Sequence, residues 1–380
     1  MGSAQEVADD LEDRRQETGV RSQESEEKKT RRQKSRMKTQ KQNGRWNSGV
    51  LLLALLLPMA GATSTAWGQR AAQGSESASY GVVVTSLGGD AAYEKLIQGW
   101  GKDLAAALRK GRNAEGHVYW LAAVKEEGVH AVSSKAEIAK LFEQLAKQVR
   151  PGDSFGLFLV GHGSYDDYDY RLSIPGPDLT GQEWAELLNK LAAERQAVVN
   201  MTSASGASLE PFQRKGRVII TSTTAGRERN FSVFGRYFVA ALQDEASDAD
   251  KNQAISALEA YRYATREVTR YYETAKRIAT EHPILEDKGE GEGAREPSAE
   301  NGQGLLAAAF PLVRFGTGDA VTGSPEVQEL RAAKRTLEES IEALKYRKAG
   351  MDTEEYAQEL EKLLLDLSRT QVKLDDLEGQ

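Results

Sequence analysis

From Tyr80 onward the chain alternates between two hydrophobic periods. Tyr80 to Thr85 is a short, almost continuous apolar run, the mark of a strand buried on both faces. Tyr93, Leu96, Ile97, Trp100, Leu104 and Leu108 then form a helical stripe over Ala91 to Leu108. His117 to Val124 reads as a second strand. Ile138, Leu141, Phe142, Leu145 and Val149 mark a second helix, with Ser133 or Ser134 as its cap. Pro151-Gly152-Asp153 supplies a turn into a third strand, Phe155 to Val160. Trp184, Leu187, Leu188 and Leu191 give a third helix. Ala197 to Met201 and Arg217 to Thr221 are further strands, and a helix opens at Phe234. Strands alternating with helices of this length predict right-handed crossovers and a mainly parallel sheet. Leu305 to Phe315 is a strand-like stretch, expected to add a last strand to that sheet.

Beyond a linker at Gly316 to Gly323 the period becomes purely helical. Ser324-Pro325 places a capping residue before a proline at the first helical position. Val327, Leu330, Leu337, Ile341 and Leu344 follow at helical spacing. After a break at 348–352, Asp352 with Glu355 makes a capping pair. Tyr356, Leu360, Leu363, Leu367, Thr370, Leu374 and Leu377 then step by fours and threes, a heptad seam. Two such helices with a short break predict an antiparallel hairpin over 324–378. One hairpin buries little, so its seam is expected to pack on the same chain or on a second copy.

The N-terminal 36 residues are charged and without apolar period, which predicts disorder. Met37 starts a three-part pattern: basic Lys38, Lys41 and Arg45, the apolar run Val50 to Ala62, then small residues up to Gly68. That is the layout of a secretory signal over 37–68. Thirteen helical residues reach about 20 Å, short of a hydrocarbon core of about 30 Å. Export to the periplasm or exterior with cleavage near Gly68 is therefore expected. The alternative is an anchor formed by uncleaved 50–62. Met37 is also a candidate translation start.

Of 50 basic and 57 acidic residues, residues 1–68 hold 12 and 9, so the remainder carries a net charge of −10. That balance offers no footprint for nucleic acid. The chain has no cysteine, which removes disulfides and thiolate metal sites. The four histidines, at 117, 130, 162 and 282, are too scattered for zinc, and no cofactor is implied. Glu281-His282-Pro283 and the acidic, glycine-rich Asp287 to Gly293 hint at a cation loop, but their spacing fails the EF-hand pattern. Residues 286–303 instead read as a flexible acidic insertion. Tyr165, Tyr168 and Tyr170 among Asp166, Asp167 and Asp169 form an aromatic-acidic loop, either a solvated hairpin or a surface for a peptide or basic partner.

Two segments at strand ends carry the candidate chemistry. Gly161-His162-Gly163-Ser164 follows the third strand, and Met201-Thr202-Ser203-Ala204-Ser205-Gly206-Ala207 follows the next, with His162 and Ser203 41 residues apart. Sites of open α/β sheets lie outside the carboxyl ends of the strands. Neighbouring strands about 4.8 Å apart would let both side chains meet over one cleft. The run from about Tyr80 to Phe315 resembles the legumain-like branch of caspase-fold cysteine peptidases, which pair a His-Gly after one strand with a nucleophile in a Glu-Ala-Cys-x-Ser-Gly-Ser setting. The segment Leu172 to Leu179 is similar to that family's short strand between histidine and helix.

The resemblance implies a caspase-like three-layer α/β sandwich with a mainly parallel sheet at 78–316, followed by the helical hairpin. It implies His162 and Ser203 as inherited catalytic positions. It also implies Gly163 and Ser203 N–H groups as an oxyanion pocket, and Ser164, Ser205, Ser222 and Thr223 lining the cleft. Serine stands where the thiol should be. A hydroxyl ionises far less readily than a thiol and needs an aligned base held by a third group. No orienting carboxylate is evident, and Thr202 occupies the place of the family's acidic residue. The expectation is a silent homologue that binds peptides or proteins, with the hairpin at 324–378 packing on its own domain or self-associating with a second copy. The alternatives are a serine-type hydrolase using Ser203 with His162, and a scaffold acting through the hairpin.

Overall fold

The computed structural model describes residues 77–112, 117–315, 324–348 and 351–378. The expected disordered extension at 1–36 and the expected signal at 37–68 lie outside the described residues. Strand β1 (Ser79–Thr85) leads through helix α1 (Ala91–Arg112) to β2 (Val118–Ala122) and the two-residue β3 (Ala131–Val132). Helix α2 (Lys135–Gln148) returns the chain to β4 (Ser154–Gly161). A small antiparallel sheet follows, of β5 (Gly163–Tyr165), β6 (Tyr170–Leu172) and β7 (Leu179–Thr180). Helix α3 (Gly181–Asn189) then precedes β8 (Arg195–Thr202). A short helix α4 (Leu209–Phe212) separates β8 from β9 (Arg217–Thr221). Helix α5 (Phe234–Gln243), β10 (Ala254–Ser256), α6 (Ala257–Thr274), β11 (Ile284–Glu286), α7 (Leu305–Ala308) and β12 (Pro311–Arg314) complete the α/β part.

Seven strands make the main sheet in the order β11-β9-β8-β4-β1-β2-β3. Every neighbouring pair is parallel except β11 with β9, which is antiparallel. Successive residues of each strand supply opposite cores. Val83, Phe158, Val160, Val199 and Met201 meet α1, α5 and α6 through Leu104, Leu108, Phe238 and Tyr261. Val82, Val84, Leu157, Leu159 and Val198 meet α2 and α3 through Phe142, Leu145, Trp184 and Leu188. The molecule is thus an α/β three-layer sandwich, and the continuous apolar runs in its strands follow from burial on both faces.

Two expectations need correction. Leu305 to Phe315 adds no strand to the main sheet. Its first part is α7, and β12 pairs antiparallel with β10 in a separate two-stranded sheet. The edge place goes to β11, where buried Ile284 and Leu285 pack into the two cores. The acidic stretch at 286–303 is anchored rather than free. Glu286 Oε1 accepts the N–H groups of Lys288, Gly289 and Glu290, and buried Asp287 accepts those of Gly304 and Ala307. Gln303 closes the loop by accepting from Asp287 N and donating to the Glu292 carbonyl.

The C-terminal hairpin consists of α8 (Pro325–Arg347) and α9 (Thr353–Glu378). Ser324 Oγ accepts from Val327 N at 3.3 Å and caps α8. Asp352 Oδ1 does the same for α9, accepting from Glu354 N and Glu355 N. Helix α8 lies against the sandwich. Glu339 takes Arg195 at 2.5 Å, Glu338 faces Arg314 at 3.6 Å, and Val327, Ile341 and Leu344 are buried. Helix α9 packs along α8, with Leu374 buried and Leu364, Leu365 and Val372 exposed. No described helix is long and apolar enough to cross a membrane.

Candidate functional site

The order of the main sheet reverses between β1 and β4: β2 and β3 lie to one side, β8 and β9 to the other. That switch point opens a crevice at the carboxyl ends of β1 and β4. His162 stands there, directly after β4. Gly161 bends the chain at φ 120°, and a Cβ on it would come within 2.1 Å of Ser86 Oγ, so glycine is required. Ser86 Oγ in turn accepts from His162 N at 2.7 Å and donates to the Leu87 carbonyl.

The His162 ring is held from the β1 side. Its Nε2 lies 3.1 Å from the Gly88 carbonyl oxygen. A carbonyl only accepts, so Nε2 carries a proton in this contact. Tyr93 meets the ring edge-on at 5.5 Å between centroids, and Phe231 lies at 5.2 Å. Phe231 also packs on Tyr93 and on Trp100. No carboxylate hydrogen-bonds the ring among the described residues.

Ser203 follows β8, on an elbow whose next residue, Ala204, adopts the left-handed conformation at φ 57°. The elbow is fixed by Ala204 N donating to the Glu228 carbonyl at 2.8 Å. The Ser203 side chain points at the backbone of Gly163. Its Oγ donates to the Gly163 carbonyl at 3.0 Å and accepts from Gly163 N at 3.2 Å. Ser203 is only 2% exposed. The strands do bring Gly161 and Thr202 side by side, as the spacing predicts. The two side chains nevertheless turn apart: no hydrogen bond joins His162 to Ser203 among the described residues. The Gly163 N–H, expected in an oxyanion pocket, is spent on Ser203 Oγ instead.

The expected lining of the cleft is also different. Ser164 is exposed on β5, but Ser205, Ser222 and Thr223 are fully buried. Ser205 Oγ is 3.1 Å from Ser222 Oγ and 3.2 Å from Thr223 Oγ1. Ser222 donates to the Thr202 carbonyl, and Thr223 Oγ1 accepts from Gly206 N. These hydroxyls tie the loops after β8 and β9 together, because buried backbone groups there have no ladder partner. Deeper in, Tyr170 donates to Asn200 Oδ1 and lies 2.8 Å from Thr202 Oγ1. Burial raises the Tyr170 phenol above its ordinary range. Tyr170 is therefore a core residue, whereas Tyr168 in the same loop is 82% exposed.

Two carboxylates brace the site, and of these the sequence marks only Glu281, for a different role. Glu281 is buried and accepts from Ser232 Oγ, Val233 N, Phe234 N and Tyr272 OH, at the N-terminus of α5. Burial is the largest influence on its carboxyl and pushes it above the ordinary carboxylate range, against the pull of those donors. Glu228 holds His282, with Nδ1 2.8 Å from Oε1, and so ties the elbow loop to the segment before β11. The Glu281-His282 pair drew attention as a possible cation ligand set, but it serves as a helix cap and a loop clasp.

Among solved structures, the chain is similar to the crystal structure of caspase-1 from Spodoptera frugiperda, at 12% identity and a TM-score of 0.37, over 57% of this chain and 91% of that one. No family model matches the chain, and no curated protein matches it.

Proposed function

We propose that the chain is a catalytically silent relative of the legumain-like, caspase-fold peptidases that binds a peptide or protein segment at the carboxyl end of its sheet. One observation carries this reading: the Ser203 hydroxyl is buried and both donates to and accepts from the Gly163 backbone. A nucleophile must be exposed to its substrate and within reach of a base. Ser203 meets neither condition, and the thiol that would tolerate poorer alignment is absent. A surface for binding remains at this end of the sheet, since Tyr93, which meets the His162 ring, and Leu87, next to Gly88, are exposed. Export with cleavage near Gly68 belongs to the same reading.

A second reading, a serine-type hydrolase, draws on the left-handed Ala204 after Ser203, since a sharp strand-to-helix turn is how some hydrolases present a serine. A fluorophosphonate probe separates the two. The silent reading expects no Ser203 adduct by mass spectrometry. An adduct that disappears in Ser203→Ala overturns it in favour of the hydrolase.

A further inference from the structure

We propose that residues 248–259 form a calcium-binding loop of the EF-hand type. The twelve residues are Asp248-Ala-Asp250-Lys-Asn252-Gln-Ala254-Ile-Ser256-Ala-Leu-Glu259. Oxygen-bearing side chains stand at positions one, three, five and nine, a backbone carbonyl at seven, and a glutamate at twelve. That register is the one a hard cation with six to eight oxygen ligands requires, and the glutamate at twelve supplies two of them. An acidic stretch without this pattern, such as 287–293, carries no such order.

The fold independently delivers these ligands to one point. Carboxylate oxygens of Asp248, Asp250 and Glu259 lie within 4.8 Å of one another, although Glu259 comes from a different element. The loop lies between helix α5 and helix α6, with Glu259 in the first turn of the outgoing helix, so the unit is helix–loop–helix. Positions seven to nine are β10, which pairs with β12 and fixes the Ala254 and Ser256 backbone. Position six departs from the usual glycine, yet Gln253 adopts the left-handed φ of 65° that glycine normally supplies there.

The carboxylates at positions one and twelve accept from backbone and hydroxyl groups of the loop itself. Glu259 Oε1 accepts one backbone N–H, that of Ala249, and Oε2 accepts the N–H and hydroxyl of Ser256. Asp248 accepts Asn252 N and Gln253 N. In these bonds Asp248 and Glu259 receive only neutral donors, while Asp250 Oδ2 has Lys345 Nζ of the hairpin at 3.9 Å. The adjoining Ser247 hydroxyl is buried without a hydrogen-bond partner. Calcium fits better than magnesium, because the ligands are spread over a long loop and magnesium demands a tight octahedron.

Calorimetric titration of the EDTA-treated full chain with calcium chloride tests the site. One calcium ion per chain is expected, together with a rise in melting temperature that magnesium at the same concentration does not match. Two variants guard the interpretation. Glu259→Gln keeps the capping box with Ser256, since glutamine serves at that position, but removes the charged bidentate ligand. Asp250→Asn changes a partly exposed side chain. Each is expected to weaken binding by about tenfold or more while the circular dichroism spectrum stays unchanged. Absence of heat and of thermal shift up to about 10 mM calcium, above the weakest range for such loops, overturns the proposal. So does binding that both variants leave unaltered.

Discussion

Ser203 and Gly163 hold each other by a reciprocal pair of hydrogen bonds, hydroxyl to carbonyl at 3.0 Å and amide to hydroxyl at 3.2 Å. The contact joins the elbow after β8 to the first residue of β5. It uses up the hydroxyl and the amide that an acyl-transfer site would need free. His162 is likewise turned toward Gly88, so both side chains serve the architecture of this end of the sheet.

The Ser203–Gly163 pair therefore has a stability signature. Ser203→Ala leaves the half-buried Gly163 amide without its hydroxyl partner, which is expected to cost about 1 kcal/mol. Gly163→Ala is expected to be worse, because a Cβ there would lie 2.6 Å from the Ser203 carbonyl oxygen, a backbone atom. Urea unfolding of both variants measures the order. A Gly163→Ala protein as stable as the wild type would refute the close packing of these two segments.

Ser203→Cys is expected to restore little peptidase activity. The thiol would meet the same Gly163 backbone, and His162 presents its protonated Nε2 to Gly88 rather than a free nitrogen to residue 203. Cleavage of asparaginyl, aspartyl and arginyl peptides should stay at background in this variant. Clear turnover, lost on His162→Ala, would mean that the crevice opens into a competent geometry.

Much of the sandwich was legible in the residues, for a physical reason. Strands buried on both faces must be continuous apolar runs, and the helices that cover them must show a 3.6-residue stripe. Both signals are strong from Tyr80 to Leu242, and β9 appears at Arg217–Thr221 as its pattern predicts. The places of His162 and Ser203 at adjacent strand ends follow from the same periods. The directions of their side chains do not, because they depend on Gly88 and Gly163 carbonyls that no spacing reveals. The pairing of β12 with β10 was hidden similarly: an apolar run announces a strand but not its partner. In the acidic stretch, composition suggested mobility, while the structure uses Glu286 and Asp287 as backbone acceptors. Oxygen-bearing side chains at alternating positions stand instead in the less conspicuous run from Asp248.

The buried carboxyl of Glu281 predicts a pH dependence of stability. Its folded-state proton affinity is raised above the ordinary Glu value of 4.5 by burial. The folded chain then holds this proton more tightly than the unfolded chain. The associated stability is fully present below about pH 4.5 and is lost as pH rises through the folded value. Asp287, also raised by burial, contributes with the same sign from its own ordinary value of 3.8. Glu281→Gln removes the first titration. The stability of the wild type minus that of Glu281→Gln should therefore fall as pH increases from about 4 to 7. A difference that is flat or rises over that range would show that the four donors outweigh burial.

The hairpin gives the last prediction. Three apolar side chains of α8, Val327, Ile341 and Leu344, are buried, and each is worth roughly 1.5–3 kcal/mol on full burial. The ion pair of Arg195 with Glu339 is about one-third exposed on the arginine side, so it is worth at most about 1 kcal/mol and orients the helix more than it holds it. Deleting 324–380 is expected to lower the melting temperature and to expose the seat around Arg195, Phe310 and Arg314, whereas Arg195→Ala should shift it little. Arg195 also stacks 5.5 Å from the Phe310 ring and donates to the Ala309 carbonyl, so its loss loosens the seat without emptying it. Light scattering with thermal unfolding tests the point. A monomer that becomes unstable and aggregates on truncation is the expected result, and a dimer that becomes a stable monomer would instead assign the hairpin to association between chains. A truncated protein with unchanged oligomeric state and melting temperature would show that apolar burial under α8 contributes nothing to the fold.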